Sequence, residues 1–427
     1  MRPALARWLG PGLCAMLLAL SACGGGGGGS AQPGTTVDFP PSAASLNDAN
    51  VTAMVVRQGP QSNVNIPYVS VTVCVPGSSV QCQTIDNVMV DTGSIGLRLF
   101  ASQINPSVPL PAQTIGGSSQ ITECAQFLST LAWGAVKRAD VVIHGERAGN
   151  VPIQLMDASS FPTSLRRSDL CGAAPLLDTS TNAAINAHAL SANGILGVGL
   201  FAYDRQIYYN CAAPAATPSG ATCQLKGQSY PTAAQQVQNP VGHFSVNNNG
   251  VLLQLPAVGS SGASTANGYL IFGIGTQANN RLGSANILQV TSAGQFTTVY
   301  NGLSLANSIM DSGSNALYFD DTALGSSSCN TAAGFYCPVG TRSLTASIRL
   351  GGSAGTISVP FAIANADNLF SNGNNYAFGN LGGSFGGPGF DWGLPFFYGR
   401  SVYSAIEGKN VSTGSSTLVG PFHAFTN

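Results

Sequence analysis

Apolar and polar positions alternate over residues 68–75, and the apolar ones are mainly β-branched, so this stretch predicts a half-buried strand. The run Val88-Met89-Val90 predicts a second strand, which leads into the polar phrase Asp91-Thr92-Gly93-Ser94 and then to Leu97 and Leu99. Residues 141–143 and 151–155 predict strands around a Gly/Asn turn. Asn193-Gly194-Ile195-Leu196-Gly197-Val198-Gly199 and Tyr269-Leu270-Ile271-Phe272 are short apolar runs bounded by glycine. In the second half, Ile309-Met310 leads into Asp311-Ser312-Gly313-Ser314, followed by Leu317 and Phe319. Residues 346–350 and 356–363 predict strands joined by a Gly-rich turn. Residues 370–389 read as a long loop, and 390–407 are aromatic and apolar again. Short strands separated by turns throughout predict an all-β protein.

Composition agrees with that pattern. With 53 Gly and 24 Pro in 427 residues, turns are frequent and long helices disfavoured. Charged residues are 8% of the chain and the net charge is -1, which excludes electrostatic binding of nucleic acid. The N-terminus adds targeting information only. Arg2 and Arg7 precede a short apolar core over 13–20, too short to span a membrane. Leu20-Ser21-Ala22-Cys23 resembles a bacterial lipobox, which makes 1–22 a signal peptide and Cys23 the lipidation site, with an ordinary small-residue cleavage site as the alternative. Residues 23–45 then form a flexible Gly/Ser/Pro tether that reaches on the order of 25 Å. The expected address is the cell envelope, facing the periplasm, with the outer membrane favoured because Gly24 rather than Asp follows the cysteine.

Setting aside Cys14 and Cys23 leaves Cys74, Cys82, Cys124, Cys171, Cys211, Cys223, Cys329 and Cys337. An even set in an exported chain reads as disulfides, whose connectivity the sequence does not determine. Short spacings favour Cys74–Cys82, Cys211–Cys223 and Cys329–Cys337, leaving Cys124 with Cys171. No Cys-x-x-Cys pair or His cluster accompanies them, so no metal is expected; His144, His188, His243 and His423 are widely spaced.

The repeated Asp-(Thr/Ser)-Gly-Ser phrase carries the chemistry. Two carboxylates presented on the same strand-turn-strand device suggest one site made of two halves. With Asn193–Gly199 between them, Gly268–Gly273 after it and Trp392-Gly393-Leu394-Pro395-Phe396-Phe397 near the end, the chain resembles the pepsin-like aspartic peptidases, in their motif order. It is also similar to a bacterial lipoprotein family, a likeness that implies location and no activity. The resemblance implies a bilobal double β-barrel with the active-site cleft between an N-terminal lobe (46–280) and a C-terminal lobe (281–427). It also implies a pair, Asp91 and Asp311, that shares one proton and activates a water to cleave polypeptide without a cofactor. Thr92 and Ser312 are expected to cross-brace the two loops. Gly93 and Gly313 should allow the tight turns, and Ser94 and Ser314 should donate to the outer carboxylate oxygens.

The family pattern is not complete. Arg98 and Phe100 stand where the family has a Trp, Phe127 falls near the position of the flap Tyr, and Leu394 stands where the last motif has Asp. The alternative is therefore a non-catalytic lipoprotein of the same fold that binds a peptide or another envelope ligand. A serine hydrolase at Ser353, in Gly351-Gly352-Ser353-Ala354-Gly355, would need a His beside it and a strand-to-helix setting, whereas this stretch reads as a Gly-rich turn. A monomer is expected, attached to the membrane through lipid on Cys23.

Overall fold

The computed structural model describes residues 44–426 apart from 117–118, 167–169, 182–186, 212–222, 226–230, 326–328, 352–353 and 414–415. Cys23, the signal peptide, nearly all of the tether and Ser353 lie outside the described residues. Within them the chain is all-β, as the alternation predicts. An 18-stranded sheet, a seven-stranded sheet and a two-stranded ribbon make up the fold. They curve into a six-stranded closed barrel and a half-barrel. The one α-helix among the described residues is Ala366–Phe370, and none is long and apolar enough to cross a membrane.

Side-chain chemistry explains the strands. In Pro67–Cys74, Val69, Val71 and Val73 point into the core. On the opposite face the hydroxyls find partners on the next strand: Ser70 Oγ donates to Asp86 at 2.6 Å, and Thr72 and Thr84 hydroxyls lie 2.7 Å apart. The four disulfides follow the favoured pairing, Cys74–Cys82, Cys124–Cys171, Cys211–Cys223 and Cys329–Cys337. The turn expected between residues 143 and 151 is present. The hairpin reverses at His144-Gly145, and Gly149-Asn150 forms a bulge opposite Asp140. Asn150 takes φ 51° there and its N–H donates to Asp140 Oδ1 at 2.5 Å, so its turn chemistry serves to kink a strand.

Eight strands position the site: β1 (Cys82–Asp91), β2 (Ile95–Phe100), β3 (Ser119–Gln126), β4 (Leu131–Ile143), β5 (Gly194–Val198), β6 (Leu303–Met310), β7 (Leu317–Phe319) and β8 (Phe390–Trp392). In the first half β5 lies between β1 and β2, parallel to β1 (Leu196 beside Val90) and antiparallel to β2 (Leu196 beside Leu97). In the second half β8 lies between β6 and β7 in the same senses, with Trp392 beside Met310 and Leu317. One device thus occurs twice, each time with an inserted strand backing the turn that follows an Asp. The halves do not divide at one point in the sequence. The strands Asn286–Gln289, Arg400–Ala405 and Phe422–Phe425 come after residue 280 yet join the larger sheet.

Candidate active site

Each Asp is held by its own turn. Asp91 closes β1, and its Oδ1 accepts from the Gly93 N–H at 2.8 Å while its Oδ2 accepts from the Ser94 hydroxyl at 2.5 Å. Asp311 follows β6 directly, and its Oδ1 and Oδ2 accept from the Gly313 N–H and the Ser314 hydroxyl, both at 2.8 Å. A carboxylate gripped on both oxygens has its plane fixed, as an acid–base group requires.

The two turns brace each other. The Ser312 N–H donates to Thr92 Oγ1 at 2.9 Å, and that hydroxyl donates to the Met310 carbonyl at 3.0 Å. In return the Thr92 N–H donates to Ser312 Oγ at 3.1 Å, and that hydroxyl donates to the Val90 carbonyl at 2.8 Å. Thr92 and Ser312 are both buried. Behind the turns, the Gly199 N–H donates to the Ser94 carbonyl and the Leu394 N–H to the Ser314 carbonyl, so the inserted strands hold both loops from below.

Close approach follows. A Cβ on Gly93 would lie 2.6 Å from Asp311 Cγ, and one on Gly313 would lie 2.7 Å from Asp91 Oδ1. Only glycine lets each backbone pass that near the opposite carboxyl group. The point where a Gly313 Cβ would stand is 2.7 Å from Asp91 Oδ1 and 3.1 Å from Asp311 Oδ1, so the two carboxyl groups face each other across the turns, a setting that favours one shared proton. Burial first, and the adjacent Asp311 charge second, push Asp91 well above the ordinary carboxylate range.

Two buried charged groups on the strands that carry or back the turns were given no partner or role by the sequence. Arg98, on β2, is almost fully buried. Its Nη2 lies 2.6 Å from both Glu123 on β3 and Asp204, and its Nη1 donates to the Ile95 carbonyl at 2.5 Å. Tyr208 donates to Asp204 at 2.6 Å and accepts from the Val237 N–H at 2.7 Å. Burial opposes the charge on Arg98, but Glu123 and Asp204 outweigh it and raise its pKa. Glu123 is pushed up by burial, with Arg98 working against that shift and Asp204 adding to it. The second group is Asp391 on β8, also buried. A signal for both was available: in a chain with 8% charged residues, Arg98 and Asp391 each interrupt an apolar run.

Phe127, the expected flap residue, directly follows β3 in the turn of the β3–β4 hairpin. Half-buried, it packs against the apolar cluster that includes Tyr68, Met89 and Ile195, and the Arg98 guanidinium lies 5.8 Å from its ring centre. Leu394 is fully buried behind the second turn. Among the described residues, the Ser404 hydroxyl lies 3.1 Å from His423 Nδ1. Both residues are buried away from solvent, and burial holds His423 down to about 4, so this pair is closed to substrate. Cys329, Cys337 and Asp367 cluster, but the two thiols are consumed in a disulfide.

Fold and site together define an all-β protein carrying a pair of aspartates, Asp91 buried and Asp311 half-buried, on a duplicated, cross-braced turn. The chain belongs to the family described as "Protein of unknown function (DUF3443)", whose pattern matches residues 46–425. No curated protein matches it.

Proposed function

We propose that this protein is an aspartic endopeptidase with a pepsin-like bilobal fold, anchored to the bacterial envelope by lipid on Cys23 and facing the periplasm. The observation that carries the reading is that Asp91 and Asp311 face each other across two turns, each gripped on both oxygens, with the turns tied together through Thr92 and Ser312.

The chemistry follows from the shared proton. Asp91, pushed up by burial and by Asp311, is the member that keeps it. Asp311 is then the base that draws a proton from a water held between the two, and the oxygen of that water attacks the scissile carbonyl carbon. Asp91 donates to the carbonyl oxygen as negative charge develops there, giving a tetrahedral diol. Asp311 then gives its proton to the amide nitrogen while Asp91 takes one back from a diol hydroxyl; the C–N bond breaks, and the acid and amine products leave with the pair again holding one proton. This cycle needs exactly one proton on the pair, so activity falls both where the pair gains a second proton and where it loses its last.

The decisive experiment is cleavage of an unfolded polypeptide by the mature protein between about pH 3 and about pH 8, with and without pepstatin. Wild type cuts and is inhibited, and Asp91→Asn and Asp311→Asn each lose at least about a thousandfold in kcat/KM. Peptide binding without turnover in wild type would favour the non-catalytic alternative, and equal cutting by wild type and both variants would discard the pair. The anchor is checked separately: metabolic labelling with a fatty acid marks wild type and not Cys23→Ser, and label on both would remove the lipid assignment.

A further inference from the structure

Asp391 is a buried acid that the reaction above does not use. It takes the place in β8 that Ile195 takes in β5: Ile195 stands beside Met89 and Arg98, and Asp391 beside Ile309 and Tyr318. It is 1% exposed, and neither carboxyl oxygen has a hydrogen-bond partner of ordinary geometry. The groups facing it are few. Asp311 lies at the end of β6, with Asp91 across the pair. Tyr318 lies on β7, but its hydroxyl is turned to Asn315 Oδ1 at 2.6 Å. The turn contributes Ser314, the one hydroxyl close enough to bear on the Asp391 charge.

An anion here would face two other carboxyl groups without a donor, so the group is held as a neutral acid; burial and then the Asp311 charge push it well up. A neutral acid has an O–H to give. The single proton of the Ser314 hydroxyl is committed to Asp311 Oδ2 at 2.8 Å, which leaves its oxygen free to accept. We propose that Asp391 is a positioning residue for the aspartate pair: its O–H donates to Ser314 Oγ, and the Ser314 hydroxyl passes that polarisation on to Asp311. A hydroxyl that accepts a hydrogen bond is a stronger donor, so this relay stabilises the Asp311 anion and biases the shared proton onto Asp91. The first half has no counterpart, because Ile195 cannot donate. The relay therefore makes two otherwise matched carboxyl groups unequal, which a base and an acid must be. The inference rests on the peptidase reading only for its catalytic consequence; the relay itself can be read without substrate.

The test uses the full chain labelled with 13C at the aspartate carboxyl carbons and titrated by NMR from about pH 3 to about pH 8. The Asp391 carbon stays at its protonated shift while the pair titrates. In Asp391→Ile, which copies the other half, the lower apparent pKa of the pair rises by about 0.5 to 1 unit because the Asp311 anion loses support. In Asp391→Asn the amide N–H replaces the O–H, and the value stays within about 0.2 unit of wild type. Titration of Asp391 at an ordinary carboxylate value would overturn the proposal. So would a fall of the pair's pKa in both variants, the mark of a lost negative charge, or an unchanged value in Asp391→Ile. Wild type and Asp391→Asn decide the matter even if the Ile variant does not fold. The acid limb of kcat/KM moves with the NMR value if the pair is catalytic; an NMR shift without any cleavage keeps the relay and removes the peptidase.

Discussion

The two halves of the site share a backbone and differ in what stands behind it. In the first half the inserted strand offers Ile195, and its neighbour Arg98 is paired with Glu123 and Asp204. In the second half the inserted strand offers Asp391 amid aromatic rings, with Phe319 stacked on Phe390 at 4.7 Å and Phe390 on Trp392 at 4.2 Å. Both halves bury an ionisable group, but they neutralise it differently. Arg98 cannot lose its proton and so requires anions beside it, whereas Asp391 can keep a proton and so tolerates a setting with no cation. The first solution ties β2 to β3, whose hairpin carries Phe127, so the guanidinium sets where that hairpin starts. The second acts on the carboxyl pair alone.

This contrast can be broken most severely at Arg98. Arg98→Met leaves two buried carboxyl groups without their cation and costs about 3–5 kcal/mol at neutral pH by chemical denaturation. The cost shrinks as pH falls, because Glu123 already sits above the ordinary range and protonates readily once the cation is gone. A loss under about 1 kcal/mol at neutral pH would mean that the triad is not the fastening of the first half.

A smaller effect, about 2–3 kcal/mol each, is expected for Thr92→Val and Ser312→Ala, since either leaves a buried backbone N–H and a buried carbonyl without their hydroxyl partner. Near-equal losses, and a double variant costing less than their sum, would show that the brace is one symmetric unit. Unequal losses would show that the asymmetry behind the turns extends into the brace.

Much of the backbone was legible. Val88-Met89-Val90 and Ile309-Met310 read as strands because burial on both faces demands continuous apolar runs, and Asp-(Thr/Ser)-Gly-Ser read as a turn because those residue types form turns. Disulfide pairing followed from short spacings, two of which join directly opposed strand positions, Cys74 with Cys82 and Cys211 with Cys223. The bulge at Gly149-Asn150 was not legible, because a bulge and a turn call on the same left-handed conformation and only the partner strand distinguishes them.

By itself, then, the sequence determined the all-β class and the two Asp turns, since strand period and turn chemistry are local properties of neighbouring residues. Tertiary structure decided which groups meet at those turns. That Arg98 finds Glu123 and Asp204, that Gly93 lies against Asp311, and that Asp391 stands behind Ser314 are contacts between residues far apart in the chain. Charge in a protein interior is governed by such neighbours, so the protonation of the site belongs to the fold.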